Sequence, residues 1–227
     1  MTRGDWVGLL DIYMMIFWCV TYIECIRIGI KQKTYCMPLL ALCMNFCWEV
    51  LSFVDYVIND GTEIYMYVLY GTWALLDAGI VLTYLMYGRS ELIIPWQSKS
   101  PDKNRILRLF IIYSLGTFLL VLCIIVLMYK YLDNWKAYFV FPNNLIMSAL
   151  FVLLPFLRKG SRGQSMSIAI PKCIGTLCAT MTMVFANMEM WILIIGALCC
   201  VLDVVYIILL NKAIRSTKPS AFRMIKA

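Results

Sequence analysis

The sequence predicts an all-α membrane protein, a bundle of seven transmembrane helices with the N-terminus outside or lumenal and the C-terminus cytosolic. Three observations carry that expectation. Of the 227 residues, 63% are hydrophobic and only 15% charged, far from the balance of a soluble domain. Seven segments are long enough, at roughly 20 apolar residues each, to cross a bilayer as helices. The basic residues also divide by side. Arg3, Lys130 and Lys136 fall in the N-terminal stub and the loops after even-numbered spans, while the rest of the 20 Lys and Arg are counted with the other loops and the tail. That is a positive-inside pattern. It accounts for the net charge of +7 through topology and anionic lipid, without nucleic acid as a partner.

The spans are expected near 8–29, 37–57, 64–87, 107–129, 138–157, 166–187 and 190–210, forming one membrane domain over 1–227. Lys31-Gln-Lys33 ends the first, and Pro38 opens the second. Asn59-Asp60-Gly61 divides the second from the third, and the polar stretch Ser98 to Arg108 the third from the fourth. Lys130 closes the fourth, Arg158-Lys-Gly-Ser-Arg-Gly163 separates five from six, and Asn187-Met-Glu189 alone divides six from seven. The longest connection, Gly88 to Asp102, is too short for a soluble domain, and no cleavable signal stands apart from the first span. Cys43, Cys47, Cys123, Cys178, Cys199 and Cys200 fall within spans, without a CxxC pair, and read as small apolar packing residues rather than disulfides. The methionines read the same way.

Absences narrow the chemistry. The chain has no histidine, which removes His-ligated metals, His general bases and Ser-His-Asp triads. No GxSxG, Walker loop or GxGxxG is present. No DDxxD or DxDD cluster is available to hold the magnesium of a diphosphate-ionising enzyme, so neither metal nor cofactor is expected. A retinal protein needs a lysine deep in its last span, and Lys212 lies only at the end of that span.

What remains is carboxylates and aromatics. Glu49 and Asp203 each interrupt a long apolar run. A carboxylate in hydrocarbon costs several kcal/mol by most accounts and persists mainly where it pairs, lines a polar cavity or works. Asn45, Glu49, Ser52 and Tyr56 share one face of the second span, as do Cys199, Asp203 and Tyr206 in the seventh and Trp73, Asp77 and Tyr84 in the third. Counted from the cytosolic ends at about 1.5 Å per residue, Glu49 lies about 18 Å deep, Asp77 about 15 Å and Asp203 about 12 Å. All three therefore sit near the midplane. For Asp77 a helix–helix hydrogen bond and a substrate pocket are equally good readings. Glu24 is expected to pair with Arg27 among the headgroups, and Asp55 to be interfacial. With no intramembrane Lys or Arg counted to neutralise them, at least one of Glu49 and Asp203 is expected to carry its proton, and a neutral carboxyl in an apolar site is a competent general acid. Trp6, Trp96 and Trp135 fit an interfacial belt. Trp48, Trp73 and Tyr206 lie too deep for one, and their rings suit a passing cation.

The run Tyr35-Cys-Met37-Pro38-Leu-Leu-Ala41-Leu-Cys43-Met-Asn45-Phe-Cys-Trp48-Glu49 resembles a signature of the integral-membrane terpene cyclases of fungal meroterpenoid and indole-diterpene pathways (the paxilline-type cyclases), which have bacterial relatives. Trp73-Ala-Leu-Leu-Asp77-Ala-Gly-Ile-Val is similar to their third-span motif, and Leu202-Asp203-Val-Val-Tyr206-Ile to their last span. Leu92 departs from the family pattern, where an aromatic is expected. The resemblance implies that Glu49 and Asp203 are the acid residues, with Asn45, Trp48, Trp73, Asp77 and Tyr206 about the substrate. It further implies a metal-free cyclisation. An acid protonates a terminal epoxide or alkene of a prenyl chain attached to an aromatic, indole or polyketide head group, and a carbocation closes rings along the chain. A prenyltransferase and a flavin epoxidase are the implied pathway neighbours. The implied location is the endoplasmic reticulum membrane if the source is fungal and the cytoplasmic membrane if bacterial. The alternative class is a small seven-span transporter or proton-coupled carrier, whose midplane acids relay protons.

Overall fold

Residues 3–59, 64–92 and 103–217 are described by the computed structural model, apart from the side chains of Arg3, Tyr65, Leu92, Lys103 and Thr217. The Asp60-Gly61 turn, Trp96, the start of the polar stretch at Ser98 and the side chain at Leu92 lie outside the described residues. The described residues form seven helices: α1 (Arg3–Gln32), α2 (Leu39–Ile58), α3 (Ile64–Leu92), α4 (Lys103–Tyr131), α5 (Trp135–Leu157), α6 (Met166–Phe185) and α7 (Met190–Thr217). Each is long and apolar enough to cross a membrane, and the chain is an integral, multi-pass membrane protein.

The helix ends follow from local chemistry. Pro38 precedes α2 with φ −58°, a position where its missing N–H takes nothing from the helix. Three other breaks share one device. Lys33, Lys159 and Asn187 each adopt a positive φ, at 50°, 50° and 54°. The next residue then donates back five positions, Thr34 N to Gly29 O at 3.0 Å, Gly160 N to Pro155 O at 3.0 Å and Met188 N to Met183 O at 3.1 Å. Such Schellman closures satisfy carbonyls that a helix end leaves unpaired. The short connection between α6 and α7 therefore reverses the chain on Asn187 alone, without a glycine.

The bundle is apolar on its outer surface, and polar side chains are gathered within an otherwise apolar core. Leu75, Ile112, Leu120 and Val201 face outward, as lipid contact requires. The buried centre holds Asn45, Glu49, Ser52, Asp77, Asn143, Asn144, Ser148, Lys172, Thr176 and Asp203. Helix α1 packs along α6 and α3, α2 against α3, α4 and α5, and α7 against α5 and α6. Gly175 permits the α1–α6 approach, since a Cβ there would meet the Trp18 ring at 2.9 Å.

One end of the bundle is tied shut. Arg158 pairs with Glu91 at 2.7 Å and donates to Tyr35 O at 2.8 Å and Arg162 O at 2.9 Å. Its guanidinium also lies 4.5 Å from the centre of the Tyr35 ring. Gln164 Nε2 donates to Cys36 O at 2.8 Å. These contacts join the α1–α2 turn, the end of α3 and the α5–α6 turn. The other end carries two adjoining shallow surface hollows that share Asp55, Asp133 and Trp135. All ten cysteines are free thiols.

Candidate active site

Glu49 is placed by the helical spacing of α2, which turns Asn45, Glu49 and Ser52 to the interior. Its carboxyl is fully buried. The Tyr22 hydroxyl of α1 donates to Glu49 Oε1 at 2.7 Å, and Asn45 Nδ2 donates to the same oxygen at 2.9 Å. Asn45 Nδ2 also reaches Asp77 Oδ2 of α3 at 2.8 Å and the Tyr22 hydroxyl. Two amide hydrogens thus serve three acceptors. On its other side Asn45 Oδ1 accepts from Asn143 Nδ2 of α5 at 3.2 Å. Glu49 Oε2 and Asp77 Oδ1 receive no donor from any other described side chain, while the two carboxyl groups interact directly with each other. Four helices therefore meet at a pair of carboxyls bridged by one amide.

A second network adjoins the first and holds Asp203. Lys172 of α6 points its ammonium at Asp203 Oδ1 of α7 at 2.6 Å, with both side chains wholly buried. The same Nζ donates to Ser148 Oγ at 2.7 Å and Asn144 Oδ1 at 3.4 Å, so its three hydrogens meet three acceptors. Asn144 Nδ2 donates to Thr176 Oγ1 at 3.1 Å. The rings of Trp18 and Phe151 lie 5.7 Å and 5.8 Å from the ammonium. Two links join the networks: Asn143 and Asn144 are consecutive on α5, and the ring of Trp18 meets that of Tyr22 edge-on at 5.7 Å.

The Lys172 ammonium corrects the sequence reading on a specific point. The count of basic residues by side places Lys172 with the loop after the fifth span and leaves no cation among the buried acids. It lies one turn and a half inside α6, and Asp203 carries a buried counter-ion. The isolation of Asp203 in hydrocarbon is thus relieved by pairing, whereas Glu49 and Asp77 have no cation among the hydrogen-bond partners just described.

Other sequence-predicted residues fall into two groups. Trp48 and Trp73 meet in one aromatic cluster through Tyr70, with ring centres 5.5 Å and 6.1 Å from it. Trp48 Nε1 donates to Lys136 O of α5 at 3.2 Å, so its ring turns towards a neighbouring helix while Glu49 faces the amide of Asn45. Tyr206 lies apart on α7, against Phe151 at 5.4 Å, and its hydroxyl donates to Gln164. Glu24 pairs with Arg27 at 2.6 Å, as the sequence suggested. Asp55 pairs with Lys136 at 2.7 Å at the end that carries the hollows, where Lys136 lies 4.1 Å from the centre of the Tyr56 ring. Among the described residues, no group of three or more Cys, Asp or Glu is placed to hold a metal ion. Tyr22, Asn143, Asn144, Ser148 and Lys172 escaped the sequence reading. A lysine and an Asn-Asn pair inside predicted spans carry the same signal as the carboxylates, whereas Tyr22 carries none.

Comparison with known proteins places these observations. A sequence model of the Pyr4-like transmembrane terpene cyclases matches residues 5–216. The chain is 26% identical over 176 residues to the Pyr4-family terpene cyclase mfmH of Annulohypoxylon moriforme, covering 74% of this chain and 66% of that protein. It is 28% identical over 162 residues to the terpene cyclase pyr4 of Aspergillus fumigatus, covering 70% and 62%. Against the terpene cyclase dpchB of Colletotrichum higginsianum it is 31% identical over 105 residues, covering 46% and 40%. The chain thus spans between two fifths and about two thirds of the length of these curated relatives. No solved structure matches it.

Proposed function

We propose that this chain, which belongs to the Pyr4-like transmembrane terpene cyclases, cyclises a prenyl chain carried on an aromatic, indole or polyketide head group, with Glu49 as the initiating acid. The observation that carries the reading is the buried pair of carboxyls, Glu49 and Asp77, on one amide of Asn45. Two carboxylates so close repel, and the pair is relieved when a proton is held there. A carboxyl that keeps its proton in this way is a general acid, placed to pass it on once an acceptor enters and water is excluded.

In the proposed step the proton leaves the Glu49 carboxyl for the oxygen of a terminal epoxide. The C–O bond to the more substituted carbon breaks, and the electron pair of the next double bond forms a new C–C bond. The cation then moves along the chain as further rings close, and loss of a proton or capture by a hydroxyl ends the sequence. A terminal alkene accepts the proton at carbon in the same way. Asn45 and Asp77 orient the donor. Asp203 supplies a second carboxyl in the adjoining network, and the rings of Trp48, Trp73 and Tyr206 stabilise positive charge. All these side chains are protein-borne, and the reaction as written draws on no metal or cofactor.

An apolar substrate dissolved in the bilayer explains why the catalyst is a membrane bundle. A prenyltransferase and, for the epoxide route, a flavin epoxidase are the enzymes whose products fit as substrates. The fungal relatives favour the endoplasmic reticulum membrane, and the basic loops favour a cytosolic C-terminus. The test is the purified chain in detergent with a farnesylated phenol carrying a terminal epoxide. Cyclised product without any ion gradient supports the cyclase. No conversion across phenol, indole and pyrone head groups, together with gradient-driven uptake in vesicles, supports a carrier instead.

A further inference from the structure

Lys172 has no part in the proposed initiation, yet all three of its ammonium hydrogens find buried acceptors. Its side chain is wholly buried, and the acceptors are Asp203, Ser148 and Asn144. An ammonium so held keeps its charge only beside an anion, because an uncompensated buried charge is strongly unfavourable. Asp203 Oδ1 takes that place at 2.6 Å. Asp203 Oδ2, equally buried, accepts from no donor among the described residues and is the open oxygen of the pair. The Glu49–Asp77 pair has the opposite character: two carboxyls, one neutral amide and no ammonium in the network.

We infer that Lys172 is a positioning residue that holds Asp203 as the carboxylate, so that the two buried acid sites have opposite tasks, Glu49 giving the first proton and Asp203 accepting the last. The inference rests on the cyclase reading for its chemistry. In the closing step a C–H bond beside the final cation breaks, its electron pair becomes the new C=C bond, and its proton forms an O–H bond at Asp203 Oδ2. Glu49 has then lost one proton and Asp203 gained one, so substrate and product are isomers. Proton exchange with water on product release restores both groups. Asn144 and Ser148 fix the ammonium, and through it they fix which Asp203 oxygen stays open.

Infrared spectroscopy on the full chain in detergent tests the charge assignment without any substrate, because a protonated carboxyl has a C=O stretch resolved from carboxylate and amide bands. The parent should show a protonated-carboxyl band that Glu49→Gln diminishes. The neutral pair Lys172→Met/Asp203→Asn, which removes both charges at once and so avoids a lone buried ion, should leave that band intact. Lys172→Met alone should add a protonated-carboxyl band that the double variant lacks. Loss of parent band intensity in the double variant means that Asp203 is protonated and overturns the inference. That comparison decides the matter even if Lys172→Met alone fails to fold.

Product analysis with the farnesylated phenol epoxide tests the acceptor role. The double variant should still consume epoxide but release hydroxylated, water-captured products in place of the terminal alkene. Parent products at the parent rate would show the pair to be structural only. A parent that converts no such substrate counts against the cyclase reading, and the infrared result still stands on its own for Lys172 and Asp203.

Discussion

Replacing Glu49 with Gln isolates the acidic proton from everything else the side chain does. The Gln carbonyl keeps the acceptor that Tyr22 and Asn45 use at 2.7 Å and 2.9 Å. Its amide takes the place of Oε2, to which no other described side chain donates. The Gln amide can donate to the Asp77 carboxyl, with which Glu49 already interacts, so a donor is kept between the two side chains. Stability should therefore stay within about 1.5 kcal/mol of the parent, the worth of a single hydrogen bond. Catalysis should fall by the contribution of a positioned general acid, about 10²–10⁴-fold, equivalent to about 3–5 kcal/mol of barrier. The assay is conversion of the farnesylated phenol epoxide by purified protein, with thermal unfolding in the same detergent as control. A Gln variant that folds like the parent and keeps more than about a tenth of kcat would refute Glu49 as donor, since no general acid contributes so little.

Asn45→Leu should be harder on the fold than Glu49→Gln. It strips a donor from Glu49 and Asp77 and an acceptor from Asn143, at about 1–3 kcal/mol for each polar group left unsatisfied, read as a lower unfolding temperature together with lost turnover. Glu24→Gln and Asp55→Asn should leave turnover near the parent value, because both acids belong to partly exposed pairs worth about 0–1 kcal/mol. An essential Glu24 or Asp55 would move the chemistry to a bundle end. Leu at Trp48, Trp73 or Tyr206 keeps an apolar surface but removes a ring face worth about 1–2 kcal/mol to a desolvated cation. Partly cyclised products should then accumulate, first for Trp73, and an unchanged profile in all three would assign the rings to packing.

Much of this architecture is legible in one dimension, for a physical reason. A charge inside an apolar run is conspicuous, and helical spacing alone puts Asn45, Glu49 and Ser52 on one face. Seven apolar segments give seven helices. The partners are less legible, because they depend on which helices touch. Nothing in the sequence says that Tyr22 of α1 meets Glu49 of α2, or that Asn143 and Asn144, one residue apart, serve different networks. Lys172 is hidden for a different reason. It stands inside a predicted span, but a sum of basic residues by side places it with a loop, which leaves Asp203 without a counter-ion. The helix ends show the same limit. Lys33, Lys159 and Asn187 close three helices at positive φ, a conformation that sequence patterns associate with glycine.

Electroneutrality ties the two networks into one device. Glu49, Asp77, Lys172 and Asp203 are all at 0% exposure, in a protein whose surroundings are lipid. A net buried charge there costs several kcal/mol, so three carboxyls beside one ammonium are stable together only when the carboxyls that the ammonium does not touch are neutral. Those are Glu49 and Asp77. The Lys172–Asp203 pair is neutral in itself, so it leaves the Glu49–Asp77 site to be neutralised by protons alone. Had the ammonium stood beside Glu49 instead, the same four residues would hold the proton at Asp203, and initiation would start from the other side of the bundle. Exchanging the charges, Asp203→Lys with Lys172→Asp, should therefore preserve the fold and the Glu49 proton while moving the open carboxylate oxygen from α7 to α6. Initiation should survive that exchange and the position of the final double bond should change. An exchanged protein with the parent product would show that the placement of the anion does not direct the closing step.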